Sequence, residues 1–273
     1  MSQTTTPPDT ASIIAATERL IGAATSGTPC APVRDLIGPD DVTAAYAVQN
    51  RVIDNRKNAG ARVIGRKIGL TSTAVQAQLG VDQPDFGVLL DDMVHPDQAT
   101  IPIDRFLQPR VEAEVAFVLK HDLADGDLDL ERIATAVDYA VAALEICDSR
   151  IAGWDIRFAD TVADNASVGA FVLGTERHTL AEVTPREVTM TMTVTGQDDS
   201  TGTGAACLGG PLLALQWLAT KARQLGEPLR AGQVILSGAL GPMRPVTAGA
   251  EVTTTISGLG TVAVRFSNKG DDQ

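Results

Sequence analysis

The chain has only three cysteines (Cys30, Cys147 and Cys207), set far apart along 273 residues. That spacing gives neither a zinc motif nor an even disulfide framework, and it fits a reduced, cytoplasmic setting. Histidine is equally scarce, and His95, His121 and His178 stand at no ligand spacing, which leaves a zinc site without support. No stretch approaches the apolar length of a membrane span. The opening MSQTTTPPDT lacks the basic region and apolar run of a secretion signal. Positive charge is short as well: a formal net charge of −12 argues against nucleic acid as a partner and for plain solubility, and it is compatible with cation binding. The signatures G-x-G-x-x-G, P-loop and G-x-S-x-G are missing, so nucleotide binding and serine hydrolysis are poor candidates.

What remains is an ordinary globular composition, 44% hydrophobic and 21% charged, on a chain long enough to bury a core without staples. Three regions follow from the pattern. Residues 1–10, rich in Thr and Pro, read as a disordered tail. Residues 11–60 carry two helical stretches, the second capped by Asp40 or Asp41 and stopped by Gly60. Residues 61–273 read as one mixed α+β domain. Strands outnumber helices there without regular alternation, which disfavours a doubly wound parallel sheet. Within it, 71–80 reads as a short helix, 81–94 as a loop leading into a short strand, 129–142 as a helix, and 142–148 as a buried strand. The segment GPLLALQWLATKARQLG is the clearest helix of the second half.

The segment PRVEAEVAFVLK, residues 109–120, places Glu112 and Glu114 on one face of a strand whose other face is apolar. Alone, such a pair reads first as a solvated strand face. Glu145, isolated inside the hydrophobic run VAALEICD, is a third acid where an unpaired carboxylate is costly. Three carboxylates on two buried strands make a plausible site for a hard divalent cation, Mg²⁺ or Mn²⁺. Arg66 and Lys67 are adjacent in a strand, so one of them points inward. A buried lysine beside a cation site would have its pKa pushed down, although a surface lysine is the simpler reading. Asp85, between Pro84 and Gly87, reads as a turn former or a functional acid. The turn SGALGP offers backbone N–H groups from Ser237 and Gly238 onward, for a substrate carboxylate or merely for a chain reversal. Asp160, Asp164, Asn165 and Ser167 are capping groups or the rim of a pocket.

At these residues the chain resembles the 2-keto-4-pentenoate hydratase family (2-hydroxypenta-2,4-dienoate hydratases) of the fumarylacetoacetate hydrolase superfamily. The resembling segments include GRKIGLTS, VQAQLGVDQPDFGVLLDDM, LQPRVEAEVAFVL, ALEICDSRI, DTVADNAS and LGEPLRAGQVILSGALGPM, in order, covering nearly all of residues 61–266. The resemblance implies a mixed β-sandwich roll with a helical N-terminal region, and residues 61–273 as the catalytic domain. It implies Mg²⁺ or Mn²⁺ held by Glu112, Glu114 and Glu145, catalytic roles for Lys67 and Asp85, and substrate binding by Ser167, Ser237 and Gly238. The implied reaction adds water to 2-hydroxypenta-2,4-dienoate, giving 4-hydroxy-2-oxopentanoate in meta-cleavage degradation of aromatic compounds. A homo-oligomer is implied too, with a decarboxylase or aldolase of the same pathway as a candidate partner. The competing expectations are a 4-oxalocrotonate decarboxylase of the same superfamily and a silent partner that stabilises such a decarboxylase. The superfamily's carbon–carbon hydrolases are disfavoured, since no histidine precedes His95.

Overall fold

The computed structural model describes residues 9–72, 76, 81, 83–268 and 270. Helix α1 (Thr10–Ser26) starts where the Asp9 carboxylate accepts from the Ala11 N–H, and it ends at Gly27 in the left-handed region. Asp9 and Thr10 therefore belong to the helix start; residues 1–8 lie outside the described residues. A short helix α2 (Arg34–Ile37) follows the predicted break, and α3 (Val42–Asn58) is capped by Asp41, whose Oδ1 accepts from the Ala44 N–H at 2.9 Å. Ala16, Leu20, Ala44 and Val48 of these helices join the same hydrophobic cluster as the sheets. The N-terminal region is thus packed into the core.

Two sheets carry the rest. The larger has eight strands in the order β2 (Asp85–Leu90), β1 (Val63–Gly69), β10 (Val234–Ala239), β5 (Arg110–Leu119), β6 (Val137–Cys147), β7 (Val168–Leu173) and β3 (Val94–His95), with β11 (Arg244–Pro245) also on β5. It is mixed: β1 with β10 and β3 with β7 run parallel, and the other pairs are antiparallel. The smaller sheet orders β4 (Thr100–Ile101), β13 (Gly260–Phe266), β12 (Glu251–Ile256), β8 (Thr189–Val194) and β9 (Ser200–Thr203). Strand β8 alternates exposed Thr with buried Met and Val, as expected for a sheet with one wet face. Helix α6 (Pro211–Gln224), after α4 (Leu130–Ala136) and α5 (Phe158–Ala163), buries Leu215 and Leu218.

Strands β5 and β6 form the spine. Val111, Ala113, Val115, Phe117 and Leu119 turn one face of β5 into the main core, so the intervening Glu112 and Glu114 face the other way. The predicted helix over 129–142 is a correction: α4 stops at Ala136 and the chain passes directly into β6 at Val137. Ala-rich VDYAVA satisfies both periodicities, and pairing with β5 on one side and β7 on the other decides for strand. Asp85 is a second correction. It opens β2, paired with Gly69 and 1% exposed, and does not sit in a tight loop. The predicted helix over 71–80 lies mostly outside the described residues.

Candidate active site

Cross-strand register brings the acids together. Glu112 on β5 is directly opposite Glu145 on β6, and Glu114 lies one pleat deeper, opposite Ala143. Glu114 and Glu145 are both 0% exposed. Glu114 Oε2 accepts the Gly238 N–H at 2.6 Å, but among the described residues Glu114 Oε1 has no hydrogen-bond partner, and neither does either oxygen of Glu145. Buried carboxylate oxygens left in that state are costly in an apo protein. They fit a hard divalent cation, which takes oxygen ligands. Donor atoms of Glu112, Glu145 and Cys147 all lie within 4.8 Å of one another, which makes the Cys147 thiol a member of the cluster that the cysteine spacing concealed.

Lys67 reaches this cluster from β1. Its Nζ stands 2.9 Å from Glu145 Oε1 as an ion pair without hydrogen-bond alignment. Burial pulls the pKa of the Lys67 ammonium down, but its neighbours, Glu145 first and then Cys147, Asp85 and Glu112, outweigh burial and hold it well above the ordinary lysine value. The expected downward shift is therefore reversed while the acids stand uncompensated. Arg66, the other half of the pair, is also buried, against Glu227 at 2.5 Å and over the Phe86 ring.

Asp85 Oδ2 accepts from Thr161 Oγ1 at 3.0 Å, and Oδ1 has no hydrogen-bond partner among the described residues. Burial raises the pKa of its carboxyl, with Lys67 and the Thr161 hydroxyl opposing. Lys67 and Asp85 converge over Gly69: a Cβ there would collide with Asp85 Oδ1 and lie 3.5 Å from Lys67 Nζ. Gly69→Ala is accordingly expected to cut turnover at least about tenfold by displacing the Asp85 carboxylate, with the fold retained. A steady-state assay beside a circular dichroism melt checks this, and wild-type turnover would contradict it.

Lys67, Asp85, Glu112, Cys147, Ser167 and Arg110 line a cavity of about 520 Å³, while Glu114 and Glu145 are not on its wall. Ser167 ends a left-handed turn, Asn165–Ala166–Ser167, with φ of 55°, 49° and 53°. Such a run of non-glycine residues costs roughly 1–2 kcal/mol per residue and persists only where its surroundings enforce it. Here Asn165 bonds the backbone of Val88 in both directions, and Gly87 leaves room for the Asn165 carbonyl. The Ser167 hydroxyl donates to Asp164 at 3.2 Å, and Asp164 in turn is held by Arg150. Asp160, at the start of α5, binds Arg34 at 2.7 Å and caps backbone N–H groups. Ser237 and Gly238 are not on the cavity wall. Gly238, at φ +112° beside a β-bulge between β10 and β5, spends its N–H on Glu114.

Glu112 has its pKa raised from 4.5 to about 7, by burial first and by Glu145 second. A carboxyl whose folded pKa exceeds its unfolded value costs nothing below the unfolded pKa and progressively more as pH rises through the interval. Metal-free protein is therefore expected to lose up to about 3 kcal/mol of stability from Glu112 alone between pH 4.5 and about 7. Denaturant melts of EDTA-treated protein at pH 5 and pH 8 read this directly, and stability that rises with pH would contradict it.

A curled mixed sheet sets Lys67, Asp85 and Glu112 on one cavity wall, with Glu114 buried on the same strand as Glu112 and Glu145 buried opposite it. That makes an α+β protein with the oxygen donors to hold a hard cation and with groups able to move protons beside it. The chain belongs to the fumarylacetoacetate hydrolase family: the family pattern described as "Fumarylacetoacetate (FAA) hydrolase C-terminal" matches residues 61–267. It is 50% identical over 259 residues to a 2-keto-4-pentenoate hydratase of Burkholderia vietnamiensis, spanning 95% of this chain and 99% of that protein. It is 40% identical to a 2-hydroxyhexa-2,4-dienoate hydratase of Comamonas testosteroni, over 92% of this chain and 96% of that one. Among solved structures, 4-oxalocrotonate decarboxylase from Pseudomonas putida G7, complexed with magnesium and adipate, superposes with a TM-score of 0.90 at 31% identity, covering 94% of this chain and 98% of its own.

Proposed function

We propose that the chain is a hydro-lyase that adds water to 2-hydroxypenta-2,4-dienoate (2-keto-4-pentenoate), giving 4-hydroxy-2-oxopentanoate in meta-cleavage degradation of aromatic compounds. The observation that carries the reading is the 50% identity along almost the whole chain to a 2-keto-4-pentenoate hydratase, against 31% to the decarboxylase. Residues 61–273 are the catalytic domain and residues 11–60 a helical cover that touches it. Gln49 of α3 donates to the carbonyls of Phe86 and Val162, beside Asp85 and its partner Thr161. The active form is a homo-oligomer.

In this reading Glu112, Glu114 and Glu145 hold Mg²⁺ or Mn²⁺, which when bound supplies Lewis acidity to the substrate's C2 oxygen. The chain's own groups move the protons. Asp85, with Oδ1 unpartnered, accepts the proton released as the C2 hydroxyl becomes a ketone. Lys67, reaching the site from β1 beside Glu145, delivers a proton at C5. The resulting unsaturated ketone is electrophilic at C4, where water adds as C3 takes up a proton, with a carboxylate orienting the water. Thr161 holds the second oxygen of Asp85 in place throughout.

The purified chain tests the proposal: it should consume the dienol absorbance of 2-hydroxypenta-2,4-dienoate and release 4-hydroxy-2-oxopentanoate. With 4-oxalocrotonate, CO₂ release should be far slower. Faster decarboxylation than hydration, or no turnover by the chain alone, would overturn the reading.

A further inference from the structure

Arg110 opens β5 on the same face as Glu112 and Glu114, opposite Cys147, and lines the same cavity. Other arginines drawn into the structure are spoken for: Arg34, Arg66 and Arg150 each meet a carboxylate, and Arg223 spends its Nη donors on the carbonyls of Leu123, Asp125 and Gly126. Arg110 makes no ion pair among the described residues. Its Nη1 has only the sulfur of Met243, a weak acceptor at 3.5 Å, and its guanidinium lies 4.4 Å from the centroid of the Trp154 ring.

That shelf is itself built. Gly153 and Trp154 are both in the left-handed region, at φ 66° and 57°, a conformation that a bulky aromatic residue rarely adopts. Gln108 enforces it from below: its carbonyl accepts the indole N–H at 3.1 Å and its Oε1 accepts the Gly153 N–H at 2.7 Å. The Gln108 amide is anchored in turn on the carbonyls of Ser149 and Ile151. The guanidinium is therefore pre-oriented on a rigid ring, with its donors largely unspent, in a cavity whose other charged walls are mostly acidic.

We infer that Arg110 is the anchor for the carboxylate of a 2-oxo or 2-enol acid. This rests on the proposed hydratase reading and deepens it. In the proposed holo site the three acids are balanced by the divalent cation together with the Lys67 ammonium paired to Glu145. An anionic substrate therefore calls for a further cation, and Arg110 is the one on the cavity wall without an acid partner among the described residues. Arg110 stands two strands away from Lys67, across β10. A carboxylate held there directs the C4–C5 end of the substrate toward Lys67 and Asp85. The arrangement sets orientation as well as affinity.

The test uses the Mg²⁺-loaded full chain with two probes, 2-oxopentanoate and its neutral amide 2-oxopentanamide, titrated by calorimetry. Arg110→Met should weaken the acid about 10- to 100-fold, the loss of one charge-assisted contact, and leave the amide within about twofold. KM for the dienoate should rise in proportion, kcat should fall by less than KM rises, the smaller loss being that of orientation, and Arg110→Lys should recover part of the acid's affinity. Equal weakening of acid and amide, or no weakening of either, would overturn the inference, since Arg110 would then only support Trp154 or nothing at all. If the wild type bound the acid through Arg110 but failed to hydrate the dienoate, the hydratase reading would fall and the anion site would stand.

Discussion

Replacing Lys67 with Met is expected to lower kcat by about a thousandfold, within the range for removal of a positioned proton donor, while cation binding is preserved or tightened. The sign of the second effect follows from the geometry. The Lys67 ammonium is 2.9 Å from Glu145 and repels any cation that approaches the same carboxylate. Met keeps the length and apolar packing of the stem at a position only 3% exposed, but it leaves the Glu145 carboxylate unpaired, so the metal-free variant should melt lower and Mg²⁺ should restore it. Turnover and the Mg²⁺-induced rise in Tm should be measured on the same preparation. Turnover at the wild-type level would remove Lys67 from the mechanism. Loss of both turnover and the Mg²⁺ response would recast it as a structural partner of Glu145.

Glu145→Gln has the largest expected effect on stability. Lys67 and Glu145 form a pair with side chains 4% and 0% exposed, and removing one member of such a pair leaves the other charge buried, at about 3–5 kcal/mol. The same change removes an anionic oxygen donor from the cluster, so added Mg²⁺ should no longer raise Tm. A double variant, Lys67→Met with Glu145→Gln, should recover much of the lost stability, because it removes the orphaned ammonium as well. A double variant no more stable than Glu145→Gln alone would show that Lys67 is not the charge being orphaned, and a full Mg²⁺ response in Glu145→Gln would exclude Glu145 as a ligand.

The acids were legible in the sequence because strand periodicity fixes which side chains share a face. Glu112 and Glu114 had to point together, and a lone Glu145 in an apolar run had to find a reason. Which residues faced them was not legible, since that depends on register. Glu112 opposite Glu145 and Arg110 opposite Cys147 are products of one antiparallel alignment that neither strand encodes alone. Cys147 escaped notice because cysteine was weighed by spacing along the chain. Arg110 escaped because nothing local says that no acid will come to meet it. The pKa of Lys67 failed in sign for a related reason: burial was foreseeable from the strand pattern, but the neighbours that outweigh it arrive from three other strands. Gly69 left one readable trace, its place two residues after Lys67 in the resembling segment GRKIGLTS. The carboxylate that needs its missing side chain comes from β2.

The central claim is that hydration occurs at a cation held by the β5 and β6 carboxylates. Dienol consumption by one preparation, followed before EDTA, after EDTA and gel filtration, and after Mg²⁺ or Mn²⁺ is returned, tests it most directly. Chelation should abolish nearly all of the rate, and adding back the ion should restore it. A rate untouched by EDTA would contradict it.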